Sequence, residues 1–445
     1  MAHAQTNAEV NAGIQLNFST PGARSLALGG AFLGLADDAT AAFANPAGLT
    51  ILSKPEVSVE GRRWSYSPKF IDRGHAFGDP TNIGVDNVPG LVSKTSKDDV
   101  TGLSFLSFVY PGKRWAVAVY RQELANFKTT FKTNGAFFDD DATHKNLSRV
   151  RPVDARLDLK IVNLGISGAY RVNDDLSIGL GVSSYDFTLN SISNRYNFNR
   201  NPPVTPDTTA GGEFGPPNYD PANILNSQDQ SGDGRNVAVN GGILWKVNTQ
   251  WSAGAVYRQG PKFSLTTTNT RGPASGDLGR VVAGNRGTFH VPDVFGAGVA
   301  FRPADAWTIT ADYDRVRYSQ LAKRSVDVFF DPTDPGGANE RSAASHLVAD
   351  DANEFHLGAE YVLALKHPVA FRAGGWLDPD HRVRFGGDAV TVEDRSTAVR
   401  FPRGKNEIHY SVGLGVVVSD KFQIDAAADF SKLVKTASFS GVFRF

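Results

Sequence analysis

The stretch FHLGAEYVLALKHPVAFRAGGW, residues 355–376, reads as a strand, a tight turn and a second strand. Phe355, Leu357, Ala359, Tyr361 and Leu363 form one apolar row, with Glu360 on the other parity. A period of two puts successive side chains on opposite faces of a sheet, so one face is apolar and the other polar. Lys366-His367-Pro368 is a turn, and pairing around it places Glu360 opposite Ala373 and diagonal to Arg372. Both charges then lie on the polar face, where diagonal neighbours are within reach of each other and a structural ion pair is expected.

The same pattern extends outward in both directions, from about residue 56 to the last residue. Trp115, Val117 and Val119 form one row, Val237, Val239, Gly241, Ile243 and Trp245 another, and Ile408, Tyr410, Val412, Leu414 and Val416 a third. Tight turns at 111–113, 173–175, 248–250, 303–305, 366–368 and 419–420 alternate with long polar stretches near 66–99, 125–152, 191–235, 267–287, 319–352 and 379–405. Short turns on one side and long loops on the other build a transmembrane β-barrel, with the long loops outside the cell. A soluble sandwich has no reason to alternate its loops in this way. The fold class expected is all-β, an antiparallel barrel of about fourteen strands, an even number as bacterial barrels require.

Composition agrees with this reading. The 445 residues carry 46 basic and 46 acidic side chains, which implies no nucleic-acid partner. Absence of cysteine removes thiolate metal sites and nucleophiles. No apolar run is long enough for a transmembrane helix, which leaves a closed barrel as the way to cross a bilayer. Ala2-His3-Ala4 has the small-x-small form of a signal-peptidase site, so residues 1–4 read as the remnant of an export signal. Trp115, Trp251 and Trp307 each follow a tight turn, as in an interfacial girdle. The last strand, 438–445, closes on Phe445, an ending that resembles the signal read by the barrel-insertion machinery.

Residues 5–52 break the pattern. They are rich in glycine and alanine and predict a short helix over Asp37–Ala44, ended by Pro46. Small side chains let backbone pack closely, so this segment is expected as a hatch inside the lumen, with residues 53–445 forming the barrel. Asn45-Pro46-Ala47 is expected against the wall near the third strand.

The run from Gly22-Ala23 to Gly29-Gly30-Ala31, then Ala36-Asp37-Asp38-Ala39 and Asn45-Pro46-Ala47-Gly48, resembles the N-terminal hatch of FadL-type outer-membrane transporters, the long-chain fatty acid and aromatic-hydrocarbon transport proteins. Residues 291–319 are similar to that family's proline-led strand, tight turn and tryptophan-initiated strand, and HLGAEY and FRAGGW to its late strands. The resemblance implies a monomeric fourteen-stranded barrel. It also implies that extracellular loops catch an apolar ligand, a pocket beside the N-terminus receives it, and a kink in the third strand releases it sideways. That strand, about 114–124, holds no glycine or proline, so a kink there requires a bulge.

Candidate ligand contacts follow. In the hatch and N-terminus they are Ile14, Leu16, Phe18, Asn45, Pro46 and Ala47, and in the loop at 191–235 they are Phe198, Phe214 and Tyr219. With apolar rows facing lipid, Arg156, Asp158, Lys160, Arg258, Arg302, Asp312, Glu360, Arg372, Asp425, Asp429 and Arg444 fall in the lumen, most of them as structural pairs. Arg156, Lys160 or Arg258 is the candidate for a ligand carboxylate. Asp229–Gly234 resembles the start of a calcium loop but lacks its glutamate and reads as a surface turn, and Asp139-Asp140-Asp141 reads as a solvated tip. Gly165-Ile166-Ser167-Gly168 is no nucleophile elbow, and the histidines are scattered. The expectation is passive transport of a small hydrophobic molecule, with no catalytic residue, metal or cofactor. Expected partners are the ligand, outer-membrane lipid with lipopolysaccharide, and the insertion machinery. A substrate-specific porin and an outer-membrane lipid hydrolase are the alternatives.

Overall fold

The computed structural model describes residues 6–16, 18, 20–141, 147–198, 214–276, 278–279, 281–322, 327–330, 341–343 and 346–445. Residues 1–4, read as a signal remnant, and 199–213 of the long loop lie outside these. Fourteen strands close an antiparallel barrel. They are β1 (Glu56–Tyr66), β2 (Asp98–Pro111), β3 (Trp115–Thr133), β4 (Val153–Arg171), β5 (Leu176–Tyr196) and β6 (Ile224–Lys246). Next come β7 (Trp251–Arg258 with Lys262–Arg271), β8 (Val281–His290 with Val294–Ala304), β9 (Trp307–Val316) and β10 (Ala352–Leu363). The last are β11 (Val369–Asp378), β12 (Glu407–Ser419), β13 (Phe422–Phe430) and β14 (Val434–Arg444), which pairs with β1 to close the ring.

The apolar rows face outward. Leu180 is 73% exposed, Leu357 62% and Ile166 61%, which is stable only against lipid. The tryptophans at 115, 251 and 307 stand exposed at the tight-turn end. The first expected pairing needs correction by one residue: Glu360 stands directly opposite Arg372, and Ala359 opposite Ala373. The hairpin pivots half a residue earlier than the proline suggested, and the ion pair forms all the same, with Arg372 Nε 2.5 Å from Glu360.

Several strands rise beyond the lipid band, and there their chemistry inverts. On β4, odd residues face inward throughout. Asn163, Gly165 and Ser167 line the lower lumen while Leu164 and Ile166 face lipid. Higher up, Val153, Ala155, Leu157, Leu159 and Ile161 are buried inside, and Arg156 and Lys160 are exposed outside. The backbone keeps its phase; the solvent changes from lipid to water, so the side-chain preference reverses. Arg156, Asp158 and Lys160 therefore do not face the lumen, contrary to the sequence expectation. The same extension shortens the predicted loops: β3 runs to Thr133, β5 to Tyr196, and Asp229–Gly234 lies within β6 rather than in a turn.

An extracellular sheet built from Lys69–Ala76, Gly90–Thr95, Phe137–Asp139 and Leu147–Arg149 lies above the ring. His75, buried at its centre, places Nδ1 2.9 Å from Asp86 and Nε2 3.0 Å from Asp139. Asp139 is thus a buried acceptor rather than a solvated tip. Helix α4 (Val392–Arg400), started by a Thr391–Asp394 capping box, reaches this sheet through Arg395, which donates to the Asp139 and Asp141 carbonyls at 3.0 Å each.

Candidate functional site: the lumen and its side wall

Residues 20–52 fill the lower lumen and are buried almost throughout. The predicted helix over Asp37–Ala44 is shortened to α3 (Ala41–Ala44), and α2 (Ala23–Ala27) and a 3-10 turn from Pro46 to Ile51 are added to it. Asp38 accepts the Thr40 amide at 2.9 Å, which holds this stretch as a turn and delays α3. The segment has unpaired amides, and wall carboxylates accept them. Glu60 binds Gly22 N at 2.9 Å, Glu56 binds Ala39 N at 2.8 Å, and Asp312 binds Phe32 N and Leu33 N at 2.5 and 2.7 Å. Arg24 joins hatch to wall, 2.9 Å from Glu360 and 2.5 Å from Asp37. Arg372 continues the chain to Asp425 at 2.6 Å. Arg302 reaches Asp37 at 3.2 Å and Arg444 reaches Glu56 at 2.8 Å, both lumenal as the alternation required.

Asn45 is fully buried and donates to the Leu33 and Ile243 carbonyls at 3.0 and 3.1 Å. Its neighbours Pro46 and Ala47 lie against Gly179 of β5, where any Cβ would overlap the Pro46–Ala47 peptide, and Gly242 of β6 meets Asn45 the same way. The motif therefore rests on β5 and β6, not on the third strand as expected, because bare glycine backbone is what admits it. Opposite β3 stands Phe43 instead, edge-on to Tyr120 at 6.2 Å.

Above the hatch the interior is apolar. Phe187 stacks on Phe263 at 4.5 Å and on Phe289 at 5.4 Å, beside Leu159, Ile161 and Leu265. Leu16 and Phe18 are buried in this cluster and Ile14 packs on its edge. Phe18 meets the Tyr318 ring at 5.9 Å, and Tyr318 donates to the Leu16 carbonyl at 3.4 Å. Helix α1 (Thr6–Asn11) anchors the segment from above, with Glu9 3.2 Å from Arg195 and 3.6 Å from Arg400.

Arg258 is the one member of the three carboxylate candidates that faces inward. It is 7% exposed, its Nη1 donates to the Phe18 carbonyl at 3.3 Å, and its guanidinium lies 5.4 Å from the Phe43 ring centre. Its Nε and Nη2 are buried with no hydrogen-bond partner among the described residues. Lys160 instead bridges to Glu123 from outside at 3.4 Å. The loop aromatics are held by neighbours. Phe214 stacks on Phe137 at 5.5 Å, Tyr219 donates to the Thr133 carbonyl at 2.5 Å, and Phe198 lies under Arg149 and Arg151 at 5.1 and 4.6 Å.

The side wall has a break. β2 and β3 pair only from Phe105–Gln122 down to Pro111–Ala116. Above that, β2 pairs with β1 alone and β3 with β4 alone. The register shifts at Ser104 on β2 and at Leu124 on β3, two bulges at one height that steer the strands apart. The bulge required for a kinked third strand is thus present without glycine or proline. Glu123, 5% exposed at the break, accepts from Asn126 at 3.0 Å. Leu124 packs against both the upper apolar cluster and the hatch cluster, so it joins the two.

A profile of the family described as outer membrane protein transport protein (OMPP1/FadL/TodX) matches residues 125–440. No curated protein matches the chain in sequence. Among solved structures, a Pseudomonas aeruginosa FadL homologue is similar with a TM-score of 0.65 at 15% identity, covering 97% of this chain and 99% of that one. The Ralstonia pickettii toluene transporter TbuX gives 0.59 at 16%, with 96% and 99% covered. The Pseudomonas putida toluene transporter TodX gives 0.57 at 14%, with 96% and 99% covered. At such identities the likeness is one of fold. The profile match spans most of the chain, and with the lipid-facing barrel around its hatch it places this protein in the bacterial outer membrane: the chain belongs to the outer membrane protein transport protein family (OMPP1/FadL/TodX).

Proposed function

We propose that the protein conducts small hydrophobic molecules passively into the outer membrane, through the apolar upper lumen and out between β2 and β3. The observation that carries this reading is the inversion on β4 and its neighbours, which makes a dry interior above the lipid band, together with Leu124 linking that interior to the break in the wall. Transfer of an alkyl or aryl group from water into such a space gains about 25 cal/mol per Å² buried, so no energy source is needed. In this reading residues 5–52 are the hatch, the barrel works as a monomer, and Ile14, Leu16 and Phe18 occupy the pocket that a ligand enters. Asn45, Pro46 and Ala47 brace the hatch. Phe198, Phe214 and Tyr219 shape the loop that borders the mouth. Lipopolysaccharide surrounds the charged upper wall, and the strand ending on Phe445 is read by the insertion machinery.

Two solved relatives are toluene transporters by description, and one is a FadL homologue, so both neutral aromatics and carboxylates are substrate classes to weigh. Arg258 favours a carboxylate: a buried guanidinium with two free donors is unfavourable until an anion meets it. Uptake by a deletion strain carrying Arg258→Gln tests this. Uptake of a labelled long-chain carboxylate should fall by roughly tenfold, the effect of losing about 1.4 kcal/mol, while toluene uptake stays level. Equal loss for both substrates would remove Arg258 from this role. Absence of uptake of either by the unmodified protein would remove the transport reading itself.

A further inference from the structure

We propose that the cleft between the first, sixth and seventh extracellular loops is a second mouth, which admits a single-chain anionic amphiphile head-outward. It is a cavity of about 500 Å³, within the size range of small-molecule sites. One side is the extracellular sheet at Lys69, Ile71 and Leu91, and the other is the loop after β11 at Pro379–Arg382 and 402–405. The third side is low. There the β13–β14 connection is a tight turn over 431–433, with Ser67 N bonded to the Leu433 carbonyl at 2.7 Å. The turn over 431–433 is short, whereas the first and sixth loops that flank it are long.

The lining is graded. Lys69, Arg403 and Lys405 stand exposed at the rim, and Arg382 lies deeper with its Nε buried and unpartnered. None of these four cations makes an ion pair among the described residues. Of the carboxylates nearby, Asp378 is 3.1 Å from His381, Glu407 is buried, and Asp380, which accepts the Arg382 amide at 3.2 Å, offsets part of the Arg382 charge. Burial lowers the His381 pKa but Asp378 and Glu354 raise it to about 9, so His381 pairs with Asp378 and the two add no net charge to the cleft. The floor is Ala12–Gln15, and both Ile14 and Leu433 pack onto the apolar upper cluster. Cations outside, aliphatic side chains inside and a floor packed on the apolar upper cluster describe a site for an anionic head and one tail.

This mouth lies across the ring from the loops at 191–235 and 267–287, since β14 and β1 stand opposite β6 to β8 in strand order. It rests on the reading of the protein as a transporter of hydrophobic molecules, but its test does not require uptake. The chain has no cysteine, so Ser93→Cys on the cleft wall supplies a single thiol. Its rate of maleimide labelling is measured in nanodiscs of neutral phosphatidylcholine, with heat-modifiable gel migration as the folding control. Sodium dodecanoate should slow labelling by about tenfold, and dodecanol and inorganic phosphate far less. Adding Arg403→Glu and Lys405→Glu, both exposed and in the loop before β12, should abolish protection by dodecanoate and leave the dodecanol effect unchanged. Protection by dodecanol equal to that by dodecanoate, protection that survives both charge reversals, or no protection at all would overturn the proposal. Protection by lipopolysaccharide alone would overturn the single-chain assignment in favour of a resident lipid. A protected thiol in a protein that fails to transport would leave this site standing and sink the transport reading.

Discussion

Deleting Ser104 and Leu124 together closes the side wall and cuts uptake of a hydrophobic substrate by about tenfold or more. The two residues are the unpaired members of facing bulges. Below the bulge on β3 the inward residues are Ala116, Ala118, Tyr120 and Gln122; above it they are Ala125, Phe127, Thr129 and Phe131. Removing Leu124 puts both sets in one parity, and removing Ser104 does the same for β2, so neither deletion turns a buried face outward. With both gone, Asp98–Leu103 can pair with the upper half of β3, and the backbone bonds that the break lacks can form. The barrel should insert and migrate as before, because every other ladder is untouched. Unchanged uptake in a folded double-deletion protein would mean that substrate leaves by another route, through the hatch or along its edge.

Arg372→Ala should be the most destabilising single substitution in the lower lumen, by about 3–5 kcal/mol, because it leaves charges without partners in a buried site. Arg372 is 6% exposed and holds both Glu360 and Asp425, while Glu360 in turn holds Arg24 of the hatch. Its loss leaves Glu360 held by Arg24 alone and takes from Asp425 its ion-pair partner among the described residues. The expected readout is a lower temperature for loss of the fast-migrating folded band, with the ratio of carboxylate to toluene uptake unchanged. A shifted ratio with stability intact would place Arg372 in the ligand path instead. Arg372→Met, which removes charge but keeps bulk, should be nearly as unstable, since the unpaired acids rather than the lost volume set the effect.

The strand count, the outward rows, the hatch and most of the alternation of turns and loops were legible in the sequence, because each depends on local periodicity or on small-residue composition; the tight connection over 431–433, on the loop side, was not. The half-residue error at Glu360 shows the limit of that method: a five-residue connection pivots where its backbone allows, and proline does not mark the centre. The larger misreading, of Arg156 and Lys160, came from assuming one solvent along the whole strand. The signal was present. On β4 the apolar residues are odd up to Ile161 and even from Val162, and on β5 they are even at Ile178, Leu180 and Val182 and odd at Tyr185, Phe187 and Leu189. An apolar doublet such as Ile161-Val162 inside an alternating strand marks where lipid ends. The bulges at Ser104 and Leu124 could not be read this way, since each is one extra residue relative to a neighbouring strand, which only the pairing reveals.

An apolar upper lumen above an ion-paired lower one also inverts the ordinary sense of a sieve. A pore of fixed bore ranks solutes by diameter and favours the smallest. On the proposed route the first compartment would rank them by the cost of leaving water and refuse a hydrated ion or a sugar although either is smaller than a fatty chain. The second compartment is closed by the ion pairs that Arg24, Glu360, Arg372 and Asp425 make between hatch and wall. A cell can therefore carry many copies of this barrel without making its envelope leaky to polar antibiotics, while each copy adds to its exposure to greasy ones.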